Sequence, residues 1–596
     1  MTDNGGKSRF ENLAVNLDLV PFRGAFSRFR LGNLTGDFAA AANVALLAFP
    51  QGMAYALIAG IPLHYGIFGS AVAAIFGSIF AKSHFITLGP TNATSVLLLS
   101  AFAALEIGAD QKVQMLPLIV FLAGLFLIIG ALMRVATLIQ YISKSVITGY
   151  ISAAAILIIT NQLRNVMGIY FPEHVSASTF VQVLWHSIRF LDSFQWNSLL
   201  IGILTGALFW TLNRSLPRLP NVAITLVVMS VVTHFLEPLG VHVNKLNPVS
   251  MAEWQLTVPE FNFHDIRVLL ATAMAIAILS LLEGTSIGKS LAARSGGKLD
   301  ANQEMFNMGM ANIGCAFFSG MPASGSLTRS MLNWKSGAKS PLASLFTGLL
   351  IIPAVLYLGP LLSYVPKPSL AILVIGIGLS LINRHQIFIV TQATGSDRLV
   401  FFITLVGGLL MPLDVAIYLG TGLSIFLFLK KAARPELVEY SFNEEGHLTQ
   451  RQQKQRKVLE ISIVHVEGDL FFGSADLFRD QIRRVFEEEN LNILVLRMKN
   501  AHILDATCVM ALEELLNYMK EKNRHLLISG VREKIYQVLE RSHILEKIGA
   551  ENVFKEYPDN PTFSTALAMK RAQAILGDSE ANVTIYVNPA THAEAS

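Results

Sequence analysis

The sequence predicts an α-helical polytopic membrane protein of fourteen spans, arranged as two inverted repeats of seven with two broken half-helices. A soluble α/β domain follows. Three observations predict this class. Of 596 residues, 52% are hydrophobic and only 15% charged, with a mean hydropathy of +0.49, whereas a soluble domain carries nearer a quarter charged residues. The charge is unevenly spread: residues 36–430 hold long apolar runs, and residues 440–596 carry charges throughout. Finally, two apolar segments are broken by Gly and Pro at matching places in successive halves, at Gly89-Pro90-Thr91-Asn92-Ala93-Thr94-Ser95 and at Gly320-Met321-Pro322-Ala323-Ser324-Gly325-Ser326.

Apolar windows place the first seven segments at 37–58, 65–80, 91–106, 115–134, 140–162, 197–213 and 220–236. The second seven fall at 266–288, 303–319, 323–334, 341–358, 368–382, 397–411 and 413–430. The amphipathic stretch 176–190 is left outside the membrane. With the N-terminus inside, the inner loops carry Lys82, Arg134, Arg214, Arg218, Lys289, Arg294, Lys298, Lys335, Lys339, Arg384 and Arg398, and Lys430, Lys431 and Arg434 follow the last span. The other side holds only Lys112, Arg164, Arg189, Lys245, Arg267 and Lys367. That bias places both termini in the cytoplasm, which requires an even number of spans. An odd number per repeat inverts the second half relative to the first.

Residues 1–35 read as a polar, basic cytoplasmic segment with no cleavable signal peptide. The membrane domain covers 36–432, with repeats at about 37–236 and 266–430, and a polar linker covers 433–456. From 457 to 576 short β runs alternate with amphipathic helices: strands at Leu459–Val466, Asn492–Arg497 and Leu526–Gly530, and helices at Leu477–Glu488, Cys508–Lys522, Glu533–Ile548 and Thr562–Leu576. Residues 577–596 are small and polar, and read as a disordered tail.

Each break precedes a helix-forming run of only about 15 or about 12 residues, too short at about 1.5 Å per residue to cross a bilayer. Broken backbone survives at membrane depth only where it is buried in protein or lines a cavity. Its free N–H groups carry partial positive charge, so two such helix starts aimed at one point make an anion site. Paired interrupted segments are the sequence mark of a transporter's substrate site.

The substrate-binding candidates follow. Arg329 lies three residues after Ser326, where it either reinforces the positive potential of the second helix start or snorkels to the cytoplasmic face. Gln51 and Tyr55 follow Pro50, which would kink segment 1; both are hydrogen-bond donors for an oxyanion, or polar glue between helices. Thr91, Asn92, Thr94, Ser324, Gly325 and Ser326 stand at the two helix starts, where capping and ligand binding are compatible roles. Glu283 lies mid-span, and with Asp37 at the mouth of segment 1 it is taken as the carboxylate content of segments 1 to 12. It is the coupling-ion candidate, for H⁺ or Na⁺, unless it serves only to offset Arg329. Cys315 and Cys508 offer neither a disulfide framework nor a metal cluster. Gly284 to Gly297 lacks the spacing of a nucleotide loop, and the net charge of +4 is too small to argue for nucleic acid. No cofactor, metal or enzymatic activity is expected, so transport would be secondary.

Several motifs resemble those of the SulP anion transporters: Pro50-Gln51-Gly52-Met53-Ala54-Tyr55-Ala56, the Gly89-Pro90 break, Ile287-Gly288-Lys289-Ser290 and Asp300-Ala301-Asn302-Gln303-Glu304. Ser326-Leu327-Thr328-Arg329-Ser330 and Ser336-Gly337-Ala338-Lys339 complete the set. The tail, with Leu504-Asp505-Ala506-Thr507, is similar to a STAS domain. The resemblance covers about residues 20–575. It implies an anion held between segments 3 and 10, an elevator-like motion of that core against a gate, a homodimer, and a STAS domain that assists assembly or binds a cytoplasmic regulator. It also implies that Gln51 and Arg329 occupy anion-site positions and that Glu283 occupies an acidic position linked to cation coupling. Segment 3 carries Asn92-Ala93 where relatives vary. Cys508 stands where related anti-sigma antagonists often have Gly, so phosphorylation of Thr507 is not carried over. The expected function is cation-coupled transport of an inorganic oxyanion, sulfate first, across the cytoplasmic (inner) membrane. The alternatives are bicarbonate or dicarboxylate transport, an uncoupled exchanger or channel, and a nucleobase symporter.

Overall fold

Apolar runs of the length predicted above close their backbone hydrogen bonds internally, and the computed structural model of the chain is accordingly dominated by helices. It describes residues 17–19, 21, 34–105, 108–137, 143–169, 171, 177, 179–216, 220–296, 298–433, 436–442, 448–450, 461–486, 491–558, 560 and 562–577. Most of the predicted N-terminal segment, most of the predicted linker, Arg218, the first residues of segment 5 and all but the first residue of the predicted tail lie outside the described residues. The chain divides into two units near residue 424.

The first half of the membrane unit runs α1 (Leu34–Ala59), α2 (Leu63–Phe80), β1 (Leu88–Pro90), α3 (Asn92–Ala104), α4 (Ala109–Leu132), α5 (Lys144–Val166), α6 (Phe180–Arg189), α7 (Trp196–Ser215) and α8 (Asn221–Leu236). The second half repeats that order with α9 (Phe263–Ser295), α10 (Ala301–Phe317), β2 (Ala323–Gly325), α11 (Leu327–Lys335), α12 (Leu342–Leu358), α13 (Lys367–Leu381), α14 (Arg384–Ala393), α15 (Gly395–Leu410) and α16 (Leu413–Ala432). Among the described residues, eight helical stretches are long and apolar enough to cross a membrane on their own, while α3 and α12 are shorter apolar helices. Helix α14 was not anticipated. It matches the amphipathic α6 in position, and an amphipathic stretch of ten residues leaves no apolar window to find it by.

Packing partners reveal the symmetry. Helix α4 packs on α10, and its counterpart α12 packs on α2; α5 packs on α15, and its counterpart α13 packs on α7. Elements that are their own partners under a two-fold meet each other: α5 with α13, and β1 with β2. Two bundles result, α1–α4 with α9–α12 and α5–α8 with α13–α16. Small residues let the helices close. A Cβ on Gly124 would lie 2.9 Å from the Gly309 carbonyl oxygen, and one on Gly348 2.6 Å from that of Ala71.

The second unit holds a six-stranded sheet in the order β4-β3-β5-β6-β7-β8, from β3 (Glu436–Phe442), β4 (Leu448–Gln450), β5 (Ile461–Glu467), β6 (Ile493–Arg497), β7 (His525–Val531) and β8 (Val553–Lys555). Strands β5 to β8 pair in parallel, and β3 pairs antiparallel to β5 and β4. The stretch read as a linker therefore contains two sheet strands. Period-two alternation sorts the faces. Val464, Val466, Leu494, Leu496 and Ile528 meet α17 (Ala475–Phe486), α18 (Ala506–Glu521), α19 (Glu533–Arg541) and α20 (Ile544–Ile548), while Ile461, Ile463, Val495 and Leu527 meet α21 (Phe563–Leu576).

Candidate functional site

The two breaks join as a two-stranded antiparallel pair, with Leu88 opposite Gly325, Gly89 opposite Ser324 and Pro90 opposite Ala323. The pair satisfies backbone that neither half-helix could satisfy alone. It also sets the starts of α3 and α11 side by side. Thr91 caps α3 through a capping box: the Thr94 amide donates to Thr91 Oγ1 at 3.4 Å and the Thr91 amide donates to Thr94 Oγ1 at 3.2 Å. Ser326 caps α11 by accepting from the Arg329 amide. Thr94 Oγ1 also donates to the Pro322 carbonyl at 3.2 Å, tying the first break to the second.

A cavity of about 340 Å³ opens in front of the two helix starts. Of the candidate residues, Gln51, Tyr55, Thr91, Asn92, Glu283, Gly325 and Ser326 line it. The buried Oε1 of Gln51 and Oδ1 of Asn92 have no hydrogen-bond partner among the described residues; both oxygens are acceptors, so the donor that each amide offers an anion is its NH₂ group. Ile151 and Ala154 of α5 and Ile377, Ser380 and Leu381 of α13 close the opposite wall, which places the cavity between the two bundles.

Three candidates stand behind the wall. Thr94 and Ser324 are fully buried and hold backbone carbonyls, those of Pro322 and Ser280. Arg329 is 1% exposed and does not line the cavity. Its Nη2 donates to the Pro90 carbonyl at 2.8 Å, and its guanidinium lies against Gly89 so closely that a Cβ there would be 2.9–3.0 Å from it. Only Gly admits that approach. The Nε and Nη1 groups of Arg329 have no hydrogen-bond partner among the described residues. The guanidinium fastens one half to the other and adds positive charge beneath the helix starts.

Glu283 of α9 reaches the cavity from a third side. Thr91 Oγ1 donates to its Oε2 at 3.0 Å, and the same cavity wall carries Gly325 and Ser326 of the second break, so the carboxylate lies beside both breaks. Glu283 and Arg329 form no direct ion pair, although each lies within electrostatic reach of the other and of Tyr55. Glu304 corrects the sequence count of intramembrane carboxylates. It lies within predicted segment 9 and is buried, accepting from the Ser83 amide at 3.0 Å and from Asn307 Nδ2 at 3.3 Å. Asp37 is also buried and accepts from the amides of Lys339 and Ser340. Neither lines the cavity.

Sequence reasoning missed Tyr150, Thr328 and Ser380 among the cavity's polar side chains. Tyr150 is fully buried, and its hydroxyl donates to the Ala93 carbonyl at 3.1 Å, at the start of α3. A tyrosine inside an apolar run was the available signal.

Comparison with known proteins places the chain. Residues 34–404 match the model of the sulfate permease family. The chain belongs to that family. Residues 453–560 match the STAS domain, which accounts for the parallel sheet of the second unit. As a member of the sulfate permease family, the protein is an integral membrane transporter. It is 28% identical over 550 residues to sulfate transporter 4.1, chloroplastic, of Arabidopsis thaliana, covering 88% of this chain and 79% of that one. It is 25% identical over 545 residues to the putative sulfate transporter YvdB of Bacillus subtilis, covering 90% and 99%. Two solved structures share its fold. Murine Slc26a9, described as an anion transporter in the inward-facing state, superposes with a TM-score of 0.84 at 18% identity, covering 96% of each chain. The transmembrane domain of the cyanobacterial bicarbonate transporter BicA superposes with a TM-score of 0.60 at 19% identity, over 65% of this chain and 98% of that one.

Proposed function

We propose that the protein carries an inorganic oxyanion, sulfate first, across the cytoplasmic membrane as a secondary transporter coupled to H⁺ or Na⁺. The observation that carries this reading is the cavity of about 340 Å³ where two capped helix starts meet with Glu283 between them. Helix N-termini supply N–H donors and partial positive charge for the anion. Thr91, Ser326, Thr328, Tyr55, Gln51 and Asn92 surround it with hydroxyl and amide groups, and Arg329 strengthens the field from behind. A carboxylate beside an anion site repels the anion when charged and not when protonated or paired with Na⁺, and this provides a physical basis for coupling. Relatives named as sulfate transporters support sulfate as the first substrate.

The cavity between two bundles suits a rigid-body motion of α1–α4 and α9–α12 against the rest, which would carry the anion from one side to the other. The excess of Lys and Arg on one set of loops supports cytoplasmic termini, and the STAS domain then faces a cytoplasmic regulator. A homodimer completes the proposal. The test is purified protein in liposomes with labelled sulfate, bicarbonate and dicarboxylates under imposed H⁺ and Na⁺ gradients. Concentrative sulfate uptake under one of the two gradients is the expected result. Uptake of none of these anions overturns the reading, and equilibration without accumulation replaces coupling by passive exchange.

A further inference from the structure

Helix α16 begins just after Pro412, and the amides of its first turn have no acceptor within the helix. The Leu413 amide donates instead to Ser100 Oγ of α3 at 2.9 Å, and both residues are buried. Asp414, the next residue, engages both of its carboxylate oxygens. Oδ1 accepts from the Val415 amide at 3.0 Å, and Oδ2 accepts from Thr272 Oγ1 of α9 at 3.0 Å. Tyr418 stands one turn later on the same helix face, and its hydroxyl donates to the Ala271 carbonyl of α9 at 2.6 Å. The start of α16 is thus fastened to α3 and α9 of the other bundle.

These contacts share one level of the molecule. Thr272 precedes Glu283 by eleven residues and Ser100 follows Asn92 by eight, which at about 1.5 Å per residue sets them about 16 Å and about 12 Å beyond the candidate site. Tyr150 makes a further bond between the bundles at the cavity itself, to the Ala93 carbonyl. Toward the end where α9 finishes, no hydrogen bond joins the two bundles among the described residues. The cavity extends that way. Ile287 lies one turn past Glu283 on α9, and Ser380 and Leu381 belong to the last turn of α13. One end is fastened by polar contacts, and the anion site lies on the unfastened side of them.

We propose that Ser100, Thr272, Asp414 and Tyr418 form a latch that holds the two bundles together on the side where α9 begins and leaves the anion site accessible from the other. That the latched side is the outer one rests on the orientation proposed above. A rigid-body motion that exposes the site outward must break these bonds. Each hydrogen bond of ordinary net worth shifts such an equilibrium roughly twofold to tenfold, so the latch sets how seldom the empty carrier faces outward. Asp414 is then a positioning residue: it acts through Thr272 and touches no anion.

The experiment places one reporter, Ala154→Cys in the cavity wall, in the full-length chain. Its labelling by a membrane-impermeant maleimide is timed from each face of oriented membranes. Cys315 and Cys508 are buried, and the chain without the reporter gives the background. Thr272→Val with Tyr418→Phe removes two hydroxyls and keeps the shapes; two lost bonds should speed labelling from the outer face about fourfold or more. Acceleration from the opposite face alone supports the latch and overturns the proposed orientation. Unchanged rates at both faces, in a variant that elutes as a folded particle, overturn the latch. No transported anion enters this measurement, so a wrong substrate leaves its result intact. A second measurement closes the latch instead. Thr272→Cys with Asp414→Cys, bridged by dibromobimane, should bind sulfate within about twofold of the unbridged protein and carry it about tenfold or more slowly, because the motion is part of every cycle. Transport at the unbridged rate would show that the contact survives the cycle, and the latch would be overturned.

Discussion

Glu283 is the side chain through which binding and coupling would meet, because its carboxylate takes a hydrogen bond from Thr91 of one break and shares the cavity wall with Gly325 and Ser326 of the other. A neutral amide keeps the shape and gives up proton exchange and most of the affinity for Na⁺. Glu283→Gln should leave sulfate binding measurable and abolish gradient-driven accumulation in liposomes; continued accumulation under the wild-type gradient would make the carboxylate structural. Arg329 acts from behind the wall. Arg329→Ala leaves the Pro90 carbonyl without its donor, at a cost of about 1.5–3 kcal/mol of stability for a charge-assisted hydrogen bond, and removes the buried charge that strengthens sulfate binding from behind the helix starts. Sulfate titration should show weaker binding together with a lower unfolding temperature, with Arg329→Lys intermediate because a point charge lacks the planar fork. Unchanged affinity in both variants would remove Arg329 from the site. In the soluble unit, burial pushes the Cys508 thiol up to about 11, with the neighbouring Asp505 adding to the rise and the Ser474 hydrogen bond opposing it. Folding thus favours the neutral thiol. Its contribution holds below the unfolded thiol's pKa, near 8.5, and is lost as pH rises toward 11. Iodoacetamide at pH 8 should spare Cys508 in folded protein and label it in denaturant, as read by peptide mass spectrometry.

The elements that matter most are the short ones. Helix α3 starts where it does because Thr91 caps it, and the same hydroxyl holds Glu283. Thr91→Ala should cost about 1 kcal/mol of stability through the lost cap, lower the unfolding temperature, and alter sulfate affinity by freeing Glu283. Thr91→Ser should restore both, and a Thr91→Ala variant with wild-type affinity would mean the Glu283 contact is incidental. The breaks themselves were legible, since Gly-Pro in an apolar run is an unambiguous interruption. Their joining as β1 and β2 was not. Three residues at each break carry no alternation to read, and the pairing links positions more than two hundred residues apart. Strands β3 and β4 were passed over for a related reason: Glu436–Phe442 and Leu448–Gln450 carry charged and polar residues amid a polar stretch.

At the scale of the molecule, two units with separate cores predict separable functions. Every proposed anion ligand lies before residue 330, in the first unit. Because β3 belongs to the soluble sheet, a truncation must end before residue 436 to leave no orphaned strand. Deleting residues 436–596 should give a membrane-inserted core that binds sulfate with wild-type affinity in detergent, since the site's donors are local to the two helix starts. A well-folded truncation that no longer binds would place part of the site, or its control, in the STAS unit.

The sequence by itself determined what depends on composition and local pattern. Apolar length gives helices because unpaired backbone is intolerable in hydrocarbon. Matching interruptions expose the repeat, the motifs from Pro50 to Lys339 fix the family, and period-two runs in a charged tail give the sheet. It also named most residues of the cavity wall, because polar groups in apolar runs are conspicuous. Only the tertiary structure decided which way those groups face and what they meet. It turned Arg329 from the cavity to the Pro90 carbonyl, brought Tyr150 and Ser380 of the other bundle to the wall, and set Glu283 against both breaks. These outcomes depend on contacts between distant segments and on the rotation of each helix about its axis, and spacing along a chain carries no record of either.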